Sequence, residues 1–190
     1  MFNRLLTALS VAALSTAAQA SVFSYQEVTL GSEAVSISGS TGTINAFGVG
    51  AMFPVREQIF VTARYATGRG TVDTVVTKVN GTALGVGTHM RIGRQTDLVG
   101  GAYISTGSLG LSSGGMSTSV SAAKDTLYVG FRSVLHSDIE LNGYYHVDLS
   151  GKNSTQIGVR YYFDQGLGLT AGIASSDTVQ SAALGFVFAY

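Results

Sequence analysis

The stretch IELNGYYHVDLS at residues 139–150 decides the fold, because its side chains alternate in character from one residue to the next. One set is Ile139, Leu141, Gly143, Tyr145, Val147 and Leu149, and the other is Glu140, Asn142, Tyr144, His146, Asp148 and Ser150. A β-strand places such alternating sets on opposite faces, whereas a helix would scatter both sets around its cylinder. The stretch is also about as long as a tilted strand that crosses a bilayer. It therefore predicts a two-faced, membrane-crossing strand.

The same alternation recurs along the chain and predicts ten strands, with eight as the alternative count. The ten segments are approximately 22–34, 43–53, 58–68, 82–93, 98–110, 123–135, 139–150, 154–163, 167–175 and 178–190. Short charged connections alternate with longer ones made of small polar residues, such as Gly68–Gly81 and Leu111–Ala122. This order is typical of an up-and-down meander that has one smooth end and one looped end.

Composition excludes several classes of protein. The chain has 190 residues, with eleven basic and eleven acidic side chains and a net charge of zero, so no basic surface for nucleic acid is expected. It contains no Cys, which excludes disulfides, thiolate zinc sites and thiol nucleophiles. After residue 20 no apolar run reaches the eighteen residues that a membrane-spanning helix needs.

The first twenty residues read as a cleavable signal peptide. Arg4 supplies the positive start, residues 5–18 the apolar middle, and Ala18-Gln19-Ala20 the small-x-small cleavage site. We expect export of the chain and one barrel domain over residues 21–190, because no linker or change of composition interrupts the meander.

The placement of charges predicts which face of the sheet meets lipid. Nearly every charge within a segment shares its parity with Gly, Ser, Ala or another polar residue, whereas the opposite parity is apolar. Aromatic residues cluster towards segment ends, as at Phe53, Phe60, Phe163, Phe188 and Tyr190. A soluble sandwich would carry about a quarter charged residues on its surface, but here the whole chain has 12%. We therefore predict an all-β, closed antiparallel up-and-down transmembrane β-barrel with a polar interior.

The mature sequence resembles the small outer-membrane β-barrel proteins of Gram-negative bacteria, the porin-like and OmpA/OmpX-like barrels. The most specific match is its ending, Ala183-Leu184-Gly185-Phe186-Val187-Phe188-Ala189-Tyr190. The resemblance implies that Gly185, Phe188 and Tyr190 form the C-terminal signal read by the barrel-assembly machinery. It further implies residence in the outer membrane and contact with outer-membrane lipid, and we expect a monomer. Ala183 departs from the pattern, which usually has a polar residue there.

We expect a polar cluster inside the barrel, formed by Arg64, Arg91, Arg132, Glu140, His146, Asp148 and Arg160. Arg132 and Glu140 lie on adjacent strands across a short turn, close enough to meet. Arg160 would lie beside Asn142 on the next strand. Two interpretations remain open: an ion-pair network that fills the barrel, and a constriction that makes it a narrow passive channel for small solutes or anions. In the first case the barrel serves envelope structure or surface interaction.

Enzymatic chemistry finds little support in the sequence. None of the three histidines has the spacing of a metal ligand set or lies in a nucleophile motif. His146 and Asp148 are the one pair that a membrane-embedded hydrolase would use, and we rank this alternative below the other two. The expectation is a protein without enzymatic activity, and without a catalytic, metal or cofactor site.

Overall fold

Ten antiparallel strands make up the fold in the computed structural model, which describes residues 25–164 and 166–189. They are β1 (Glu27–Ile37), β2 (Thr43–Arg56), β3 (Ile59–Val72), β4 (Val75–Arg91), β5 (Thr96–Ser113), β6 (Met116–His136), β7 (Ile139–Asp148), β8 (Asn153–Asp164), β9 (Leu167–Ser176) and β10 (Val179–Ala189). No helix in this part of the chain is long and apolar enough to cross a bilayer. The predicted signal peptide lies outside the described residues.

The strands close into a barrel. Each strand pairs with its neighbour in sequence, and β1 pairs with β10 from Glu27 opposite Ala189 to Ile37 opposite Val179. Closure leaves no unpaired edge around the barrel wall, which is the condition for a sheet to reside in lipid. The predicted all-β, closed, up-and-down barrel is confirmed, and so is the count of ten strands.

The two faces of the wall differ as the alternation predicts. Leu84 and Leu184 on the outer face are 67% and 66% exposed, whereas Arg160 and Glu140 on the inner face are 0% and 2% exposed. Large apolar side chains thus cover the outside and charged ones are enclosed, which is the arrangement of a lipid-facing barrel. Phe60 is an exception to the predicted aromatic belt, because its ring points inward and is buried against Tyr25.

Two hairpins are longer than predicted. The expected loops Gly68–Gly81 and Leu111–Ala122 are strand, and they are interrupted only by two-residue turns at Asp73-Thr74 and Gly114-Gly115. Sequence alternation missed them because Gly, Ser and Thr on both faces give no hydrophobic contrast. We call residues 67–72, 75–82, 106–113 and 116–125 the projecting sheet, since their outward side chains are mostly polar and stand beyond the apolar band.

The turn at the tip of the β3–β4 hairpin is held by a neighbouring loop. Asp73 Oδ1 accepts hydrogen bonds from the backbone N–H of Thr41 at 2.7 Å and from its hydroxyl at 3.1 Å. The bond from this backbone N–H lowers the pKa of the Asp73 carboxyl below its ordinary value. The tether is therefore present above the unfolded-state pKa and is lost as the pH falls through the lowered pKa of the folded state.

We expect Thr74→Gly to raise stability. Thr74 has a φ of 71°, a left-handed conformation that costs a β-branched residue about 1–2 kcal/mol and that glycine adopts freely. The gain should be about 1 kcal/mol once the extra entropy of unfolded glycine is subtracted, measured by urea unfolding of the refolded barrel. Thr74→Val is the control, because valine is also β-branched, and it should not raise the free energy of unfolding. Equal stability of the two variants would show that the backbone of Thr74 is not strained.

Candidate functional site

Buried ion pairs cross the lumen in the half nearer the short turns. Arg132 on β6 meets Glu140 on β7 in a bidentate pair, with Nε to Oε1 and Nη2 to Oε2 both 2.8 Å. Arg160 on β8 donates from Nη1 to the same Glu140 Oε1 at 3.2 Å, and its Nη1 lies 3.8 Å from Glu27 Oε2 on β1. We call these four side chains the arginine–glutamate network. The Glu140 carboxylate links β6, β7 and β8, and Arg160 extends the network to β1.

The register of β7 and β8 places Arg160 opposite Glu140, and not beside Asn142 as predicted. The reason lies in the turn that joins these strands. Asp148 Oδ1 accepts from the Ser150 hydroxyl at 2.6 Å and from the Lys152 backbone N–H at 2.9 Å. These bonds centre the turn on Ser150, one residue earlier than expected, which moves every partner of β7 by two residues.

Aromatic side chains seal the lumen at the short-turn end. The Tyr25 ring stacks on His89 at 3.8 Å and on Phe60 at 4.9 Å between ring centroids, and the Arg132 guanidinium lies 5.0 Å from its centroid. The Tyr25 hydroxyl donates to Asp97 Oδ2 at 3.0 Å, and His89 Nδ1 lies 3.4 Å from the same oxygen. Tyr25 thus closes the space below the arginine–glutamate network.

Arg91 does not join the enclosed cluster that was predicted. Its side chain is 55% exposed, and its Nε lies 3.9 Å from Asp97 Oδ1. Arg91 is the last residue of β4, so its side chain stands at the rim of the barrel beside the turn to β5.

The middle of the lumen is an aromatic layer around His146. Its ring centroid lies 5.9–6.2 Å from those of Tyr103, Tyr128 and Tyr144, and neither ring nitrogen has a hydrogen-bond partner among the described residues. Arg64 on β3 belongs to the same inward-facing set as Phe60.

His146 and Asp148 share the inner face but form no dyad. Asp148 Oδ2 pairs instead with Lys124 Nζ at 2.5 Å, while the imidazole lies among the rings of Tyr103, Tyr128 and Tyr144. A hydrolytic relay requires the carboxylate to orient the imidazole through a hydrogen bond. Within the described residues, no group of three His, Cys, Asp or Glu side chains is arranged to hold a metal ion.

An aliphatic layer fills the lumen near the projecting sheet, and the sequence analysis did not foresee it. Its members are inward-facing and almost fully buried: Val35, Ile37, Ile44, Val72, Val79, Leu109 and Val179. They share the parity of small or polar residues lower in the same strands, so parity alone assigned them to a polar lumen. One feature of the sequence could have predicted this layer. Val35 and Ile37 have the same parity as Glu33 on β1, so apolar side chains follow a charged one on the inward face of a single strand.

Comparison with solved structures identifies the architecture. The translocator domain of the autotransporter NalP from Neisseria meningitidis superimposes with a TM-score of 0.56 at 13% identity, over 100% of this chain and 96% of that one. The chain therefore has the fold of this outer-membrane β-barrel domain. Ail from Yersinia pestis (TM-score 0.46, 15% identity) and the Neisserial surface protein NspA (TM-score 0.48, 9% identity) are also similar, each over 86% of this chain and 95% of theirs. No protein-family model and no curated protein matches the sequence.

The C-terminal strand β10 carries two of the three residues of the predicted assembly signal. Gly185 lies in β10 directly opposite Gly31 of β1, and Phe188 lies opposite Val28. Tyr190 is outside the described residues. The strand that would be read during assembly is therefore the one that closes the barrel onto β1, and its recognition stays a prediction.

Proposed function

We propose that this protein is a non-conducting, non-enzymatic barrel of the outer membrane that serves the envelope by displaying the projecting sheet. The observation that carries the proposal is the filled lumen. From the short turns upward, the interior holds the Tyr25 seal, the arginine–glutamate network, the tyrosine layer around His146 and the aliphatic layer. A barrel of ten strands is only slightly wider than one of eight, whose side chains fill the interior.

The charges of the network are directed at each other. A constriction that selects anions needs cationic groups that face the ion path. Arg132 instead donates hydrogen bonds to both carboxylate oxygens of Glu140, and Arg160 contacts that carboxylate as well as Glu27. The seven side chains of the aliphatic layer above are all uncharged, so a passing ion would lose hydration against them without gaining a polar contact from them. Both features favour the interpretation of a filled barrel over that of a narrow channel.

The projecting sheet offers an open edge at β6. Residues 126–134 of β6 pair with β7, whereas residues 116–124 pair with β5 alone in the described structure. An extended peptide can add to such an edge through main-chain hydrogen bonds. Charged residues and Pro usually protect a strand edge from pairing with another chain. Residues 116–123 contain neither. An extended polypeptide segment at the cell surface fits this edge.

Assembly and membrane orientation complete the proposal. We propose that the C-terminal strand brings the exported chain to the barrel-assembly machinery, and that the barrel resides as a monomer among outer-membrane lipids. In such barrels the short turns face the periplasm and the longer connections face outward. The projecting sheet then stands outside the cell.

Planar-bilayer recording of the refolded full-length chain tests the filled lumen. Many insertions, counted by heat-modifiable migration of the recovered protein, should give no resolved single-channel steps. Steps that shrink in Arg132→Ala or Arg160→Ala would overturn the proposal in favour of an anion channel. As a control for insertion, a conducting porin is recorded under the same conditions.

A further inference from the structure

Two cations face outward at one level of the projecting sheet. Arg69 on β3 lies directly opposite Lys78 on β4, and both side chains are exposed. The next pair towards the membrane is Thr67 and Asn80, whose side chains hydrogen-bond at 2.6 Å. Below these comes Tyr65, an exposed aromatic residue at the top of the apolar band.

The distance from Tyr65 to Arg69 gives the height of the two cations above the hydrocarbon core of the membrane. Arg69 lies four positions after Tyr65, which is about 13 Å along a strand and roughly 10 Å along the barrel axis at the usual tilt. Tyrosine is typical of the boundary between hydrocarbon and headgroups. Long Arg and Lys side chains bend their charged ends towards the interface. Their charges therefore reach the level of the lipid headgroups.

The positive charge of this pair is not balanced by the protein. Neither Arg69 nor Lys78 makes an ion pair with any described residue. No described acidic residue lies on the outward faces of β2 to β5 at or above the Tyr65 level, and the Asp73 carboxylate at the turn accepts its bonds from Thr41. Like charges directly opposite each other in a sheet are destabilising. A bound anion would remove this repulsion between Arg69 and Lys78.

The neighbours on either side complete a polar row. Asn45 on β2 lies opposite Arg69, and its exposed amide can donate to the same anion. Gly110 on β5 lies opposite Lys78 and brings no side chain, so the space beside Lys78 stays open. A Cβ placed at Gly110 would have only Lys78 within 4 Å.

We propose that Arg69 and Lys78 bind the phosphate of an anionic lipid headgroup in the outer leaflet. The proposal rests on the membrane orientation given under the proposed function. The guanidinium of Arg69 presents two N–H groups in the geometry that phosphate oxygens accept, and Lys78 adds a point charge. The bound phosphate neutralises the pair and fixes one lipid against the outer wall.

The test compares lipid retention by the full-length barrel in nanodiscs of mixed phosphatidylglycerol and phosphatidylcholine. Native mass spectrometry of the released barrel counts the lipids that stay bound. We expect the barrel to retain phosphatidylglycerol preferentially, and R69Q/K78Q to reduce this preference about tenfold. Lys152→Gln is the matched control, because it removes a cation from a turn at the same end of the barrel and should leave the preference unchanged.

Three results would overturn the assignment. An equal phosphatidylglycerol preference in R69Q/K78Q is one, and an equal loss in Lys152→Gln, which would indicate a general charge effect, is another. The third is binding of inorganic phosphate to the detergent-solubilised barrel through Arg69 and Lys78 without any lipid preference, which would indicate a site for a free anion. The bilayer recordings do not depend on these residues, so the two proposals fail separately.

Discussion

Glu140→Ala should lower the free energy of unfolding by about 3–5 kcal/mol, because it leaves buried cations without their counter-charge. Glu140 accepts two hydrogen bonds from Arg132 and one from Arg160, and both arginines are enclosed by the barrel. Glu27 remains near Arg160, but it cannot replace the bidentate geometry around Arg132. The loss is therefore larger than the removal of one surface ion pair, which costs about 1 kcal/mol or less.

The measurement is urea unfolding of the refolded barrel in lipid vesicles, together with the temperature at which heat-modifiable migration is lost. Asp125→Ala is the matched control, since Asp125 is an exposed acidic residue on β6. It should change the free energy of unfolding by less than about 0.5 kcal/mol. Glu140→Gln should fall between, because an amide oxygen can still accept one hydrogen bond. A loss below 1 kcal/mol in Glu140→Ala would show that the network does not stabilise the barrel.

The fold could be predicted because each strand of a membrane barrel alternates between apolar residues that face lipid and small or polar residues that face the lumen. Leu184 and Phe186 alternate with Ala183 and Val187 along β10, and the structure exposes the first pair and buries the second. Strand ends were harder to predict. Alternation fades towards the tip of the β5–β6 hairpin, where residues 112–121 are exposed on both faces and Ser, Thr and Gly occur on either side.

The filling of the lumen could be predicted only in part. Arg132 and Glu140 could be paired from a short turn, because a hairpin fixes which residues face each other. Tyr25 and Asp97 lie 72 residues apart, and their contact exists only because the sheet closes on itself. Contacts across the lumen depend on the stagger and diameter of the barrel, which alternation within one strand does not contain.

Gly130→Val should prevent folding of the barrel or lower its free energy of unfolding by more than about 3 kcal/mol. Gly130 lies on β6 opposite Tyr144, and a Cβ at this position would overlap the carbonyl oxygen of Gly143 and the Tyr144 ring, with the Tyr144 Cα at 3.0 Å. A flexible side chain could move away, but the backbone of β7 is fixed by its pairing with β6 and β8. Refolding yield, read as the heat-modifiable fraction, measures the effect.

A matched glycine and a double variant separate the two sources of overlap. Gly100→Val is the control, because the nearest atom to its Cβ would be the Tyr128 backbone oxygen at 3.5 Å, an ordinary contact. It should refold with the yield of the natural sequence. Tyr144→Ala/Gly130→Val removes the ring but keeps the Gly143 carbonyl in place, so the yield should stay low. Full recovery in this double variant would show that ring packing alone requires Gly130, and that the β6–β7 backbones can separate inside the barrel.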